Sequence, residues 1–272
     1  MVLALAACLV SGASVAPAQD PEAEAMSAWQ LEELHQGFCV QLLVDPAEIA
    51  RRLPGGVRPL PADQVTDLHA SIESVIASQP EFTSWAPSRL CLFYFDGVQA
   101  AGRRVSHKDR RKAPMLALWT VAAAESTGER GDVALEIFTN NSRLERSARL
   151  ANVDLRVART TVGDVPEDDE GRPSPDDRYE VRIGKTQITW DGRPAADSTP
   201  LTTPLASEWR AEGRRGGWVE GSLTINAAMT GGMIGSLKVS GEGDLAEALR
   251  QSPIRFVGPG YQGGAGSLAF GR

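Results

Sequence analysis

From Arg89 to the end of the chain, apolar residues tend to recur at every second position, the spacing of a strand that buries one face. The pattern predicts strands at Leu90–Phe95, Met115–Ala123, Val133–Phe138, Val153–Thr161, Tyr179–Trp190, Trp218–Ala227, Ser236–Val239, Ile254–Val257 and Ser267–Phe270. Alternation is clearest in Tyr179-Glu180-Val181-Arg182-Ile183 and Gln187-Ile188-Thr189-Trp190, with Gly184-Lys185 between them as a hairpin or a bulge. Few linking segments are long enough for crossover helices, so antiparallel pairing is expected. Before Arg89 the period is closer to that of a helix. Pro21–Gln36 carries Met26, Trp29, Leu31 and Leu34 loosely on one face, and Ala62–Ser78 spaces Val65, Leu68, Ile72, Val75 and Ile76 by three and four. A third helix is predicted at Pro46–Leu53, with Asp45 as N-cap, Pro46 at the first position and Pro54-Gly55-Gly56 as the stop. Polar loops are expected at 165–177 and 195–204. The fold class is α+β: a curled antiparallel β-sheet, or a β-cone or barrel. A few flanking helices are expected in the N-terminal third, and a helical turn near 244–250.

The N-terminus adds a compartment. Residues 1–18 contain no charged side chain, and Val2–Val10 is too short to cross a bilayer, which needs about 20 apolar residues. Ala16-Pro17-Ala18 has the small-x-small form of a signal-peptidase site, although the usual positive segment is missing. Export to a periplasm or the exterior is therefore expected; Leu5-Ala6-Ala7-Cys8 offers the alternative of a lipid anchor on Cys8. The domain plan is a signal peptide at 1–18, an N-terminal helical segment at 19–37 and one β-domain at 38–272. No later stretch has transmembrane length. Cys39 and Cys91 remain after cleavage, each in an apolar, strand-like run. Export and an even count permit a disulfide between them; two separate buried thiols are the other reading. The 272 residues carry 28 Lys and Arg against 35 Asp and Glu, and a net charge of −7 makes the protein a poor candidate for binding nucleic acid or an anionic membrane surface.

Candidate chemistry is sparse. His35, His69 and His107 are far apart in sequence and lack Cys or carboxylate pairs at ligand spacing, so no metal site is expected. There is no G-x-S-x-G. Gly258-Pro259-Gly260-Tyr261-Gln262-Gly263 and Gly241-Glu242-Gly243-Asp244-Leu245-Ala246 match the dinucleotide fingerprint only formally, without its βαβ context, and read as turns. Asn140-Asn141-Ser142 is a formal glycosylation sequon. Arg103–Lys112, with seven of ten residues basic, reads as a solvated loop or an anion contact.

Three segments resemble the acetoacetate decarboxylase-like superfamily. Leu43-Val44-Asp45-Pro46 through Leu53-Pro54-Gly55-Gly56 is similar to its early strand–helix–turn. Ile137–Ser142 followed by Ala148-Arg149-Leu150-Ala151-Asn152-Val153-Asp154-Leu155 is similar to its paired strands, and Gly241–Leu245 with Ser252–Val257 and Leu268–Gly271 to its closing hairpin. The resemblance implies a curled β-cone around a ligand pocket. Decarboxylases of this kind use a lysine as Schiff-base nucleophile beside a second lysine, and the matching positions here are Ala148 and Arg149. Alanine forms no imine, and arginine stays protonated. The expectation is therefore an exported protein binding a small organic ligand, a carboxylate held by Arg149, with Lys185 and Lys238 as further candidate contacts and no cofactor. An enzyme on the same scaffold, a lyase or hydrolase using Lys185, Lys238 or carboxylates, is the alternative; an envelope domain binding a protein partner is the third reading.

Overall fold

In a computed structural model of the chain, residues 28–106, 113–162, 177–194 and 198–271 are described. The expected signal segment, nearly all of the acidic loop at 165–177, His107 and the second half of the basic cluster lie outside them. The described chain opens with β1 (Trp29–Leu31), β2 (Leu34–Val44), α1 (Pro46–Ala50), β3 (Val57–Pro59), α2 (Ala70–Ser78), β4 (Ala86–Phe95), β5 (Gly97–Ala100) and β6 (Arg103–Ser106). It continues through β7 (Met115–Glu125), β8 (Arg130–Thr139), α3 (Ser142–Leu150), β9 (Leu155–Val157), β10 (Arg159–Val162), β11 (Asp177–Ile183) and β12 (Thr186–Pro194). The last third holds β13 (Ser198–Pro200), β14 (Leu205–Glu212), β15 (Trp218–Ile225), β16 (Ala228–Thr230), β17 (Met233–Gly241), α4 (Asp244–Gln251), β18 (Phe256–Gln262) and β19 (Gly266–Gly271).

Fifteen strands form one sheet in the order β13-β16-β18-β2-β4-β7-β8-β14-β15-β19-β1-β5-β6, with β3 and β9 attached to β7 and β8. Pairing is antiparallel except β8 with β9 and a single bridge between β8 and β14. The two ends of the path do not pair with each other, so the sheet is open. It is nonetheless strongly curled. The consecutive strands β1 and β2 pair with β19 and β18, which are also consecutive in the chain but do not pair with each other, and Leu34 exchanges backbone hydrogen bonds of 2.7 and 2.8 Å with Gly263 and Gly264 at that corner. A second sheet, β10-β11-β12-β17, covers part of one face.

The central strands are buried on both sides; Met115–Ala124 has no exposed residue. One core, around Phe38, Trp119 and Trp190, lies between the large sheet, the small sheet, α1 and α4. The other, around Trp29, Phe93, Trp209 and Phe270, fills the opposite side beneath α3. Burying side chains of this size contributes roughly 2–3 kcal/mol each. Two details hold the cores in register. Trp119 Nε1 donates to Ser88 Oγ (2.9 Å), which donates onward to Thr120 O (2.7 Å). Trp209 lies over Gly221, its cross-strand partner; a Cβ there would sit 2.1 Å from the ring.

The helix at Asp45–Pro46 forms as the sequence predicts, Asp45 accepting a hydrogen bond from Ala47 N. Other helical expectations are corrected. The segment expected to be helical at 19–37 is strand from Trp29, because Trp29 and Leu31 are buried and Gln30 exposed, a period of two that binds this stretch into the sheet. Ala62–Ser78 splits into a 3-10 turn at Ala62–Gln64 and α2, with Asp67 at φ 60° and His69 capping the new start. The helices are not confined to the N-terminal third. Besides α4 in the turn near 244–250, α3 stands where the family resemblance placed a connection and a strand. Asn141 caps α3, and Leu144 and Ala148, four apart, supply its buried stripe. The bracketed Gly184-Lys185 is the tight turn of the β11–β12 hairpin.

Candidate ligand site

The side-chain period of two and the registers of β2, β4 and β7 build a polar row above an apolar one. Gln41 pairs with Arg89, and Arg89 with Thr120. Two residues along on the same face, Cys39 pairs with Cys91, and Cys91 with Leu118. Cys39 and Cys91 are joined by a disulfide. The polar row forms part of a cleft of about 330 Å³, closed at its sides by Tyr261 of β18 and by the segment from Val65 to His69.

Arg89 is the central charge. Its Nη2 donates to Asp132 Oδ2 on β8 (2.9 Å) and to Ser207 Oγ on β14 (3.3 Å), and about a third of the side chain is exposed (34%). Its Nε and Nη1 have no partner among the described residues. Gln41, buried, is fixed by donating to Gly258 O (3.1 Å). Burial pushes the Tyr261 phenol above its ordinary value, an effect the Arg89 charge partly offsets. His69 Nδ1 accepts from Ser71 N (3.2 Å), which puts the proton of the neutral ring on Nε2. Desolvation holds His69 below its usual value despite the nearby Glu73, and its ring lies tilted against Phe256, centroids 5.1 Å apart. With Leu68, Ile72 and Ala122 as apolar lining, the walls of the cleft carry a guanidinium, a phenol and an imidazole beside the carboxylates of Asp67 and Asp132. The guanidinium suits a carboxylate ligand. Cys39 in the floor of the cleft is bonded to Cys91 and is not a free thiol.

Other concavities are tied up by ion pairs. A cleft of about 450 Å³ beside β8 and β14 contains Arg210, which pairs with Glu125 (2.9 Å), Glu129 and Glu220 (3.2 Å). Arg52, over the Trp119 ring at 4.8 Å, pairs with Glu136 (2.6 Å) and Asp244 (3.3 Å) and so ties α1 to β8 and α4. Among the described residues no group of three His, Cys, Asp or Glu is placed to hold a metal ion.

The residues nominated from sequence do not converge. Arg149 lies on α3, about half exposed, paired with Glu145, while Ala148 is buried beside it. Lys185 is in the β11–β12 turn, 80% exposed, 3.1 Å from Glu242. Lys238 is exposed on β17 opposite Thr189. His35 pairs with Asp96 at 2.5 Å. Gly258–Gln262 is strand, and Gly243 is the N-cap of α4, so both glycine motifs are structural. Asn140 of the sequon is tied down: its side chain accepts from Met115 N (2.9 Å) and donates to Ala113 O (2.7 Å) and Thr160 Oγ1 (3.0 Å). Arg89 and Tyr261 were legible only as one arginine inside an apolar strand and one tyrosine in a glycine run.

No protein-family profile and no curated protein matches the chain. Among solved structures it is similar to an acetoacetate decarboxylase from Legionella pneumophila, with TM-score 0.47 and 11% identity over 90% of this chain and 86% of that one. It is similar to the enduracididine biosynthesis enzyme MppR complexed with pyruvate, with TM-score 0.47 and 12% identity over 96% of each chain. An acetoacetate decarboxylase-like enzyme from Sphingomonas wittichii RW1 gives 0.43 and 12% over 95% and 98%. The likeness is distant in sequence and in shape.

Proposed function

We propose that the protein is exported and binds a small carboxylate in the Arg89 cleft, without Schiff-base chemistry. The single observation that carries the reading is the row Gln41–Arg89–Thr120, in which a partly buried guanidinium keeps two donors for a ligand above a disulfide floor. The disulfide supports export, because such bonds persist in oxidising compartments. The exposed positions of Lys185 and Lys238 support a non-catalytic role, because an amine nucleophile at neutral pH needs burial or a neighbouring cation to lower its pKa.

Isothermal titration with straight-chain mono- and dicarboxylates of two to six carbons tests the reading. Saturable binding is expected, weakened at least tenfold by Arg89→Gln and unchanged by Arg149→Gln. Incubation with acetoacetate and borohydride is expected to leave no covalent adduct. An adduct on Lys185 or Lys238, lost on mutation to Arg together with carbon dioxide release, overturns the binding-protein reading in favour of a decarboxylase.

A further inference from the structure

The chain is acidic as a whole, yet the outer face of α3 carries no carboxylate. At about 100° per residue, α3 turns Leu144, Ser147 and Ala148 inward and sends Arg143, Arg146 and Leu150 out together, with Arg149 at the edge of that face. The turn after β14 docks against the end of the helix: Arg214 N donates to Asn152 O (3.0 Å) and Arg215 N to Asn152 Oδ1 (2.9 Å). Arg214 and Arg215, both exposed, add two cations near the end of the helix, Arg214 on the Glu145 side. Glu145 is the one carboxylate within α3; it is largely covered, paired with Arg149 and 3.8 Å from Arg214. Asp154, beyond the helix, is engaged by Arg156 at 3.2 Å. Arg143 stands in the first turn, where a positive charge opposes the helix dipole, so helix stability does not account for it. Leu150 is 82% exposed among these arginines, the most exposed large apolar side chain of the described residues.

We propose that this face docks the protein on an anionic phospholipid surface, with Arg143 and Arg146 donating to lipid phosphates while Leu150 enters the boundary with the acyl chains. The guanidinium fork matches phosphate oxygens, and a leucine flanked by arginines matches the change from charged headgroup to hydrocarbon. A nucleic acid offers phosphates but nothing for Leu150, and an acidic protein surface sets Leu150 against carboxylates. Such docking is peripheral: no helix among the described residues is long and apolar enough to cross a membrane. It is independent of the Arg89 cleft.

The test is co-sedimentation of the full chain, with Cys8→Ala so that no acyl anchor contributes, with vesicles of phosphatidylcholine alone or with one-third phosphatidylglycerol. Binding to the anionic vesicles is expected, with release in high salt and little partition to the neutral ones. Arg143→Gln with Arg146→Gln is expected to weaken binding about thirtyfold, the worth of two charges near such a surface. Leu150→Ser is expected to weaken it about fivefold. All three side chains face solvent, and unchanged thermal unfolding verifies that the variants are folded. Failure to bind anionic vesicles, equal binding to neutral ones, or an affinity indifferent to the double substitution overturns the proposal. So does a preference for polyglutamate or single-stranded DNA that displaces the protein from vesicles.

Discussion

Breaking the Cys39–Cys91 bond perturbs the unfolded chain far more than the folded one. In the fold the two cysteines face each other across β2 and β4, 3% and 6% exposed, and Gln41–Arg89 and Gly37–Phe93 pair on either side of them, so two thiols fit in the same place with the ladder intact. Unfolded and reduced, the chain regains the freedom of a loop spanning 52 residues. The chain-entropy treatment puts that at about 4 kcal/mol at 25 °C. For a chain of this size the same energy lowers the midpoint of thermal unfolding by roughly 8–16 °C. The assay is urea unfolding followed by tryptophan fluorescence, with and without dithiothreitol, beside a Cys39→Ala/Cys91→Ala variant that should ignore the reductant. The reduced protein is expected to show a lower midpoint and a steeper denaturant dependence, because its unfolded state exposes more surface. A loss below about 1 kcal/mol refutes the reasoning: the bond would then be doing little to restrain the unfolded chain. Two alkylatable thiols in the protein recovered from its native compartment would refute the pairing itself.

Three further outcomes follow from packing and charge. Gly221→Ala places a methyl 2.1 Å from the Trp209 ring, and moving that buried ring is expected to cost about 1–3 kcal/mol in urea unfolding, against no loss for Gly131→Ala, which meets open space. Ser88→Ala removes the acceptor of Trp119 Nε1 and is expected to cost about 1–3 kcal/mol, while Ser78→Ala on the exposed face of α2 is expected to cost far less. His69 has a folded pKa below its unfolded one, so the unfolded state binds more protons in the window between them. Stability should therefore rise with pH through that window and fall as pH drops from about 6.5 toward the folded value. His69→Asn, which keeps a capping acceptor, should flatten that part of a stability–pH curve; an unchanged slope would sink the assignment.

Much of the sheet was legible because strand periodicity is local. The Tyr179–Trp190 alternation maps onto the β11–β12 hairpin, and Asp45-Pro46 marked a helix start, since an N-cap and a proline at the first position act over a few residues. The failures lie where tertiary context decides. Trp29 and Leu31 fit a loose helical face in sequence, but only pairing with β19 shows that their spacing of two is the relevant one. Leu205–Glu212 was missed because its inward positions include Ser207 and Ala211, too weak an apolar signal beside Glu208 and Arg210. The candidate site was the least legible feature. Its residues come from β2, β4, β7, β8, β14 and β18, and lining one cleft with Gln41, Arg89, Asp132 and Tyr261 requires no fixed spacing in the chain. Arg149 was nominated through a strand that is in fact a helix, which turns the side chain outward.

The pairing of β1 and β2 with β19 and β18 sets an order of events for synthesis. The sheet is seamed by its two chain ends: Trp29 lies beside Leu268, and Val40 beside Val257. A chain delivered from its N-terminus presents β2, β4 and β7 early, with apolar side chains on both faces, and must wait for the last residues before β2 gains its second neighbour. Pairings this distant in sequence are slow to form. Until they do, β2 is an uncovered edge, the kind of surface through which partly folded chains join one another. A bond between Cys39 and Cys91 can form long before that, because both residues and their strands lie within the first 95 residues. Oxidation would then hold the first pair of strands in register while the rest of the molecule arrives.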